Sequence, residues 1–174
     1  MKTMLKFGHI LVVLIFLTAL IGCLSKGEVS ENLPAQKTTQ LGLYFTSTEA
    51  YDFLKKEGNN ALFIDVRTRG EITSEGMPAL ADANIPYIMQ RSEKEVVVNN
   101  DFVPAVKARL QEKGLDEQSP ILLICRQGNR SAKAVNALAK VGYKNVYHVV
   151  DGANGWKQSQ LPWSSEVDSE KMSF

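Results

Sequence analysis

Apolar and polar positions along this 174-residue chain alternate in short blocks. Pro120-Ile121-Leu122-Leu123-Ile124 has no polar break, the habit of a central parallel strand buried on both faces. The run stops at Cys125, and Arg126-Gln127-Gly128-Asn129-Arg130 follows as a polar loop. From Ser131 onward Ala132, Val135, Leu138, Ala139 and Val141 recur at helical spacing, and Gly142 is a C-cap signal. Upstream, Leu43-Tyr44-Phe45 reads as a short strand. A helix over 48–57 follows, capped by Ser47 or Thr48, with Ala50, Phe53 and Leu54 on one face and Gly58 ending it. Ala61 to Val66 is the next strand, Ile85 and Tyr87 alternate as another, and Val96-Val97-Val98 is strand-like within a long 90–100 loop. Asp101 opens a helix to about Lys113 that buries Phe102, Val103, Val106 and Leu110. Val146 to Val150 is a strand, and Asn154 caps a short helix carrying Trp156 into the core. Strands alternating with helices predict a three-layer α/β domain with a mainly parallel sheet.

The N-terminus has a different pattern. Lys2 and Lys6 precede a run from Ile10 to Ile21 that is apolar except for Thr18. That length suits the core of a secretory signal and is short for a spanning helix. Leu20-Ile21-Gly22-Cys23 resembles a bacterial lipobox, with Cys23 as the lipidated mature N-terminus. Leu24 in place of Asp resembles lipoproteins sorted to an outer membrane. The competing reading is an uncleaved anchor helix, and both place the domain outside the cytoplasm on a membrane tether. The expected organisation is therefore a signal peptide over 1–22, a flexible polar linker over 23–41, a domain over 42–163 and a mobile polar tail over 164–174. The expected location is a bacterial cell envelope, facing the periplasm. Formal charge is +1 and gives no footprint for nucleic acid. The two cysteines, Cys23 and Cys125, form no disulfide framework and no C-x-x-C. His148 is the domain's single histidine and reads as a strand-end residue near the surface, so neither a zinc site nor a Cys–His dyad is expected.

The chemistry concentrates at Cys125. A cysteine at the carboxyl end of a buried parallel strand stands where α/β sheets hold ligands. The helix that follows points its N-terminal N–H groups back at the loop, and Arg126 and Arg130 add two charges. Each favours thiolate over thiol and predicts a nucleophilic Cys125. Gly128 and Asn129 tolerate left-handed backbone angles, which let the loop curl its N–H groups inward.

The order C-R-x-G-x-R-S after an apolar strand resembles the active-site loop of single-domain rhodaneses, which are sulfurtransferases. Phe63-Ile64-Asp65-Val66-Arg67 with Glu71 resembles that family's D-V-R-x-x-x-E motif, and Ala83-Asn84-Ile85-Pro86 its A-x-N-I-P stretch. Gly152, Gly155-Trp156 and Leu161-Pro162 resemble its closing G-G-x-x-G-W…L-P stretch. The chain departs from the pattern at Met77, where a histidine is usual, and at Asp151, where a glycine is usual. The resemblance implies a five-stranded sheet with helices on both faces, and no metal or organic cofactor. It implies transfer of a sulfane sulfur from thiosulfate or a similar small anionic donor through a Cys125 persulfide. Arg126 and Arg130 would bind the donor, and Gln127, Gly128, Asn129 and Ser131 would complete the loop. Asp65 and Arg67 would support the site without catalysing. With Cys23 lipidated, the acceptor is external: cyanide in an assay, or a thiol, dithiol or protein cysteine. Two alternatives stand beside this. A cysteine phosphatase or arsenate reductase uses the same strand–loop–helix order but places five residues between Cys and Arg, where this chain has four. A non-enzymatic binding or sulfur-carrier module is the other.

Overall fold

The computed structural model describes residues 33–92 and 94–172. The expected signal peptide, Cys23 and the expected linker as far as residue 32 lie outside the described residues. In chain order the elements are β1 (Tyr44–Phe45), α1 (Ser47–Glu57), β2 (Leu62–Asp65), α2 (Arg69–Glu75), β3 (Met77–Pro78), β4 (Ala83–Asn84), β5 (Ile88–Ser92), β6 (Glu95–Val98), α3 (Phe102–Glu112), β7 (Ile121–Ile124), α4 (Asn129–Lys140), β8 (Val146–Val149), α5 (Gly152–Gln158) and β9 (Trp163–Ser164). The main sheet has the order β1-β8-β7-β2-β4 with every neighbouring pair parallel.

Alternation along the central strands sends side chains to two cores. Ile121 and Leu123 of β7 join Leu62 and Ile64 of β2 beneath α3 and α4. Leu122 and Ile124 join Phe63, Val149, Trp156 and the inner faces of α1 and α2. Both faces are apolar because both are covered, which explains the unbroken Ile121–Ile124 run. The fold is thus the expected α/β sheet with helices on both faces.

The differences are local. α1 is capped by Thr46, not by the expected Ser47 or Thr48, because Thr46 and Glu49 make a reciprocal capping box. α2, a helix beyond those expected from the sequence, has the same device in Thr68 and Glu71. Strand pairing near Ile85–Tyr87 falls on Ala83–Asn84, parallel to β2, while Ile88 begins the separate β5–β6 hairpin. Val141, expected on a buried face, is exposed because α4 ends at Lys140. α5 starts at Gly152 with Asp151 at its N-cap, not at Asn154.

Both ends of the domain reach further than the composition suggested. Residues 34–41 read as linker, yet the Lys37 ammonium donates to Val150 O at 2.8 Å and Gln40 N–H donates to Asn136 Oδ1 at 2.8 Å. The tail through Met172 is also engaged. β9 pairs antiparallel with β3, and Val167 and Met172 pack against the second core. These contacts are long-range and involve scattered single residues, so polar composition hides them.

One glycine fixes the path of the reactive loop. Gly152 has φ +63°, and a Cβ there would stand 2.4 Å from Cys125 O. Gly152→Ala is expected to destabilise the domain by roughly 2–4 kcal/mol, combining left-handed strain with overpacking. Urea unfolding checks this.

Candidate active site

The site stands at the carboxyl end of β7. Cys125 is the first residue past the strand and is buried. Its carbonyl and that of Arg126 accept from Ala153 N–H at 2.8 Å and Asn154 N–H at 3.1 Å, so the first turn of α5 holds the start of the loop. The loop then turns through Gly128 at φ +94°, where a Cβ would meet Val150 O at 2.4 Å. That turn brings Gly128 N–H to 3.2 Å from the sulfur. Ser131 Oγ lies 3.4 Å from the same sulfur and 3.1 Å from Gly128 O. Ala132 N–H opens the helical ladder to Gly128 O at 3.1 Å, so the N–H groups before it are free of the helix. Gln127 and Asn129 are exposed at the rim.

The two arginines have carboxylate partners. Arg130 makes a bidentate pair with Glu71, at 2.6 Å from Nη1 and 2.7 Å from Nη2. Arg126 donates from Nε to Glu71 at 3.1 Å and from Nη2 to Glu75. Partial burial opposes ionisation of Glu71, but hydrogen bonds from Arg130 and Thr68 outweigh it and hold the carboxyl well below the usual range. The same carboxylate accepts from Thr68 N–H at 2.9 Å, so Glu71 both caps α2 and anchors the loop.

Behind α2 lies a fully buried pair. Asp65 Oδ2 accepts from Arg67 Nη2 at 2.8 Å, and Arg67 Nη2 also donates to Gly76 O at 2.7 Å. Asn84 Nδ2 donates to the carbonyls of Asp65 and Arg67 at 2.9 and 2.8 Å. Asp65 and Arg67 therefore fix the ends of β2 and α2 and make no hydrogen bond to Cys125.

His148 differs from its sequence reading. It is fully buried in the middle of the sheet, since β8 is flanked by β1 and β7 and residues 34–41 cover that end. Nδ1 lies 3.0 Å from Ser131 Oγ. Burial, and secondarily the Lys37 charge, push its imidazole down to about 3. Sequence reasoning missed this residue and Glu75, and named Glu71 only as part of the D-V-R-x-x-x-E resemblance. The Thr68-x-x-Glu71 capping box was a legible signal for α2, and through it for the carboxylates facing the loop. Nothing in the sequence marks His148.

The rhodanese-like domain family model matches residues 46–159. An uncharacterised protein of Rickettsia prowazekii is 37% identical over 123 residues, covering 67% of this chain and 93% of that protein. Thiosulfate sulfurtransferase 18 of Arabidopsis thaliana is 32% identical over 106 residues, covering 61% of this chain and 74% of that protein. Among solved structures, Rv0390 from M. tuberculosis aligns with TM-score 0.55 at 24% identity, over 71% of this chain and 97% of that one.

Two substitutions test the electrostatics. Glu71→Gln is expected to lower stability by roughly 1–3 kcal/mol by weakening the charged hydrogen bonds to Arg126 and Arg130. Because the Glu71 carboxyl is depressed in the folded protein, that gap is complete well above its ordinary value of 4.5 and narrows as pH falls below it. Denaturant unfolding of both proteins across this range checks the sign. His148 is depressed as well, so the unfolded chain takes up its proton first. Wild type should lose about 1.4 kcal/mol per pH unit from this group as pH falls from 6.5 towards 3. His148→Phe should lack that component in the same titration.

Proposed function

The chain belongs to the rhodanese-like family, and on that premise we propose that it is a sulfurtransferase working through a persulfide on Cys125. The Cys125 thiolate attacks the outer sulfur of a small anionic donor of the thiosulfate kind. The donor's S–S bond breaks, sulfite leaves with the electron pair, and Cys125 carries the sulfur. An external thiol, dithiol or protein cysteine then attacks the terminal sulfur and regenerates the Cys125 thiolate, giving ping-pong kinetics.

The observation that carries this reading is the loop itself. Gly128 N–H is aimed at the sulfur from within a turn that spans four residues between Cys125 and Arg130. A cradle this short suits a single sulfur anion better than a phosphoryl group with its several oxygens, which weighs against the phosphatase alternative. Retention of the cysteine with both arginines weighs against an inert module.

The paired arginines refine the roles assigned to them. Arg130 is committed to Glu71 on both outer nitrogens, so we assign it to holding the loop. Arg126 is 42% exposed and meets solvent, which makes it the group that receives the donor's oxygens in exchange for Glu75. The lipobox-like Leu20–Cys23 supports an extension of the proposal, a lipid tether holding this activity at a bacterial envelope.

Intact mass of the purified chain before and after thiosulfate tests the reading. A gain of about 32 Da, the mass of one sulfur added by thiolate attack, is expected, reversed by cyanide and absent in Cys125→Ser. No adduct, together with phosphate release from an aryl phosphate, would overturn it in favour of the phosphatase.

A further inference from the structure

Ser131 has one hydroxyl hydrogen and three neighbours. Cys125 Sγ is 3.4 Å away, Gly128 O 3.1 Å and His148 Nδ1 3.0 Å. Which one receives the hydrogen depends on His148. The imidazole is neutral at ordinary pH, since burial and then the Lys37 charge hold it low. It therefore carries one proton, on Nδ1 or on Nε2. Nε2 is buried and has no hydrogen-bond partner among the described residues. A proton there would leave an orphaned N–H donor, which folded proteins avoid more strictly than an unused acceptor. A proton on Nδ1 has Ser131 Oγ as its acceptor.

With Nδ1 protonated, Ser131 Oγ receives a hydrogen bond and its own hydrogen goes elsewhere. Gly128 O is already served by Ala132 N–H at 3.1 Å. The Cys125 sulfur, once ionised, is the stronger acceptor, because hydrogen bonds to charged groups are the strong ones. We infer that His148 is a positioning residue of this site: its Nδ1–H fixes the Ser131 hydroxyl as a donor to the Cys125 sulfur. The series His148 Nδ1–H to Ser131 Oγ–H to Cys125 Sγ is polarised in one direction, so each bond strengthens the next. Gly128 N–H approaches the sulfur from the loop and Ser131 from the helix, which gives the anion two donors of independent origin.

The relay acts at two moments. Before the reaction it sets a hydrogen-bond donor against the charge on the attacking Cys125 sulfur. In the second half-reaction the acceptor's thiolate bonds to the terminal sulfur, the persulfide S–S bond breaks, and its electron pair returns to Cys125 Sγ. Donors waiting at that sulfur make it a better leaving group. This last step rests on the sulfurtransferase reading. The relay itself needs only the ionised Cys125 sulfur and no sulfur donor.

Long-range 1H–15N correlations of the imidazole in the wild-type protein give the first test. A proton on Nδ1 with Nε2 bare is expected; a proton on Nε2 would overturn the inference. Alkylation of Cys125 by iodoacetamide near neutral pH gives the second. His148→Phe and Ser131→Ala should each slow it roughly three- to tenfold, the lost hydrogen bond to the sulfur anion being partly offset by higher intrinsic reactivity. The double variant should be no slower than the single ones, and His148→Asn, whose side-chain amide sets an N–H close to the Nδ1 position, should restore most of the rate. Additive losses, or a folded His148→Phe that reacts at the wild-type rate, would refute the relay. If His148→Phe fails to fold, Ser131→Ala and the tautomer still decide. Neither readout uses a sulfur donor. An Nδ1 proton in a chain that forms no persulfide sinks the sulfurtransferase reading alone, and a persulfide in a chain protonated on Nε2 sinks the relay alone.

Discussion

The carboxylate of Glu71 is the constraint on which the site depends. It closes the capping box of α2, takes both outer nitrogens of Arg130 and accepts from Arg126 Nε. Four groups from a helix start, a loop and a second helix thus meet on two oxygen atoms. Half-buried charge-assisted hydrogen bonds of this kind are worth far more than exposed surface pairs, because neither partner recovers full hydration when the contact breaks. The loop after β7 is held against α2 by this contact, and Asp65, Arg67 and Asn84 in turn hold α2 against the sheet.

That arrangement changes the electrostatic character of the loop. Two arginines beside a cysteine suggest a strongly positive mouth. In the folded protein Arg130 is neutralised by Glu71, and Arg126 is shared between Glu71 and Glu75. A small anion meets a nearly balanced network and gains only by exchange with a carboxylate. An anion on Cys125 would instead be served by uncharged donors, Gly128 N–H at 3.2 Å and the Ser131 hydroxyl at 3.4 Å from the sulfur. Neutral donors already in place would need no reorganisation if charge moved onto and off the sulfur.

The depth of the site comes from elements distant in sequence. His148 lies on β8, Ser131 on α4 and Cys125 after β7, and residues 34–41 lie across the same end of the domain. Lys37 reaches Val150 O, next to the strand that carries the histidine. A segment that reads as polar linker therefore helps keep the imidazole neutral, through the charge of Lys37 and alongside burial, the larger cause.

Legible in the sequence alone were the α/β sheet, the strand–Cys–loop–helix order and the place of Cys125 at the head of the loop. Those features are local: an unbroken apolar run, a helical repeat and a glycine in a polar turn depend on neighbours within a few residues. The Thr68–Glu71 capping box was equally local and equally legible. Tertiary structure alone decided which charges face each other, that Arg126 and Arg130 are paired, and that His148 is buried against Ser131. It also decided that residues 34–41 and the tail through Met172 belong to the domain. These depend on strand order and on contacts between residues about a hundred positions apart, such as Lys37 with Val150, and no periodicity along the chain encodes a distance through space.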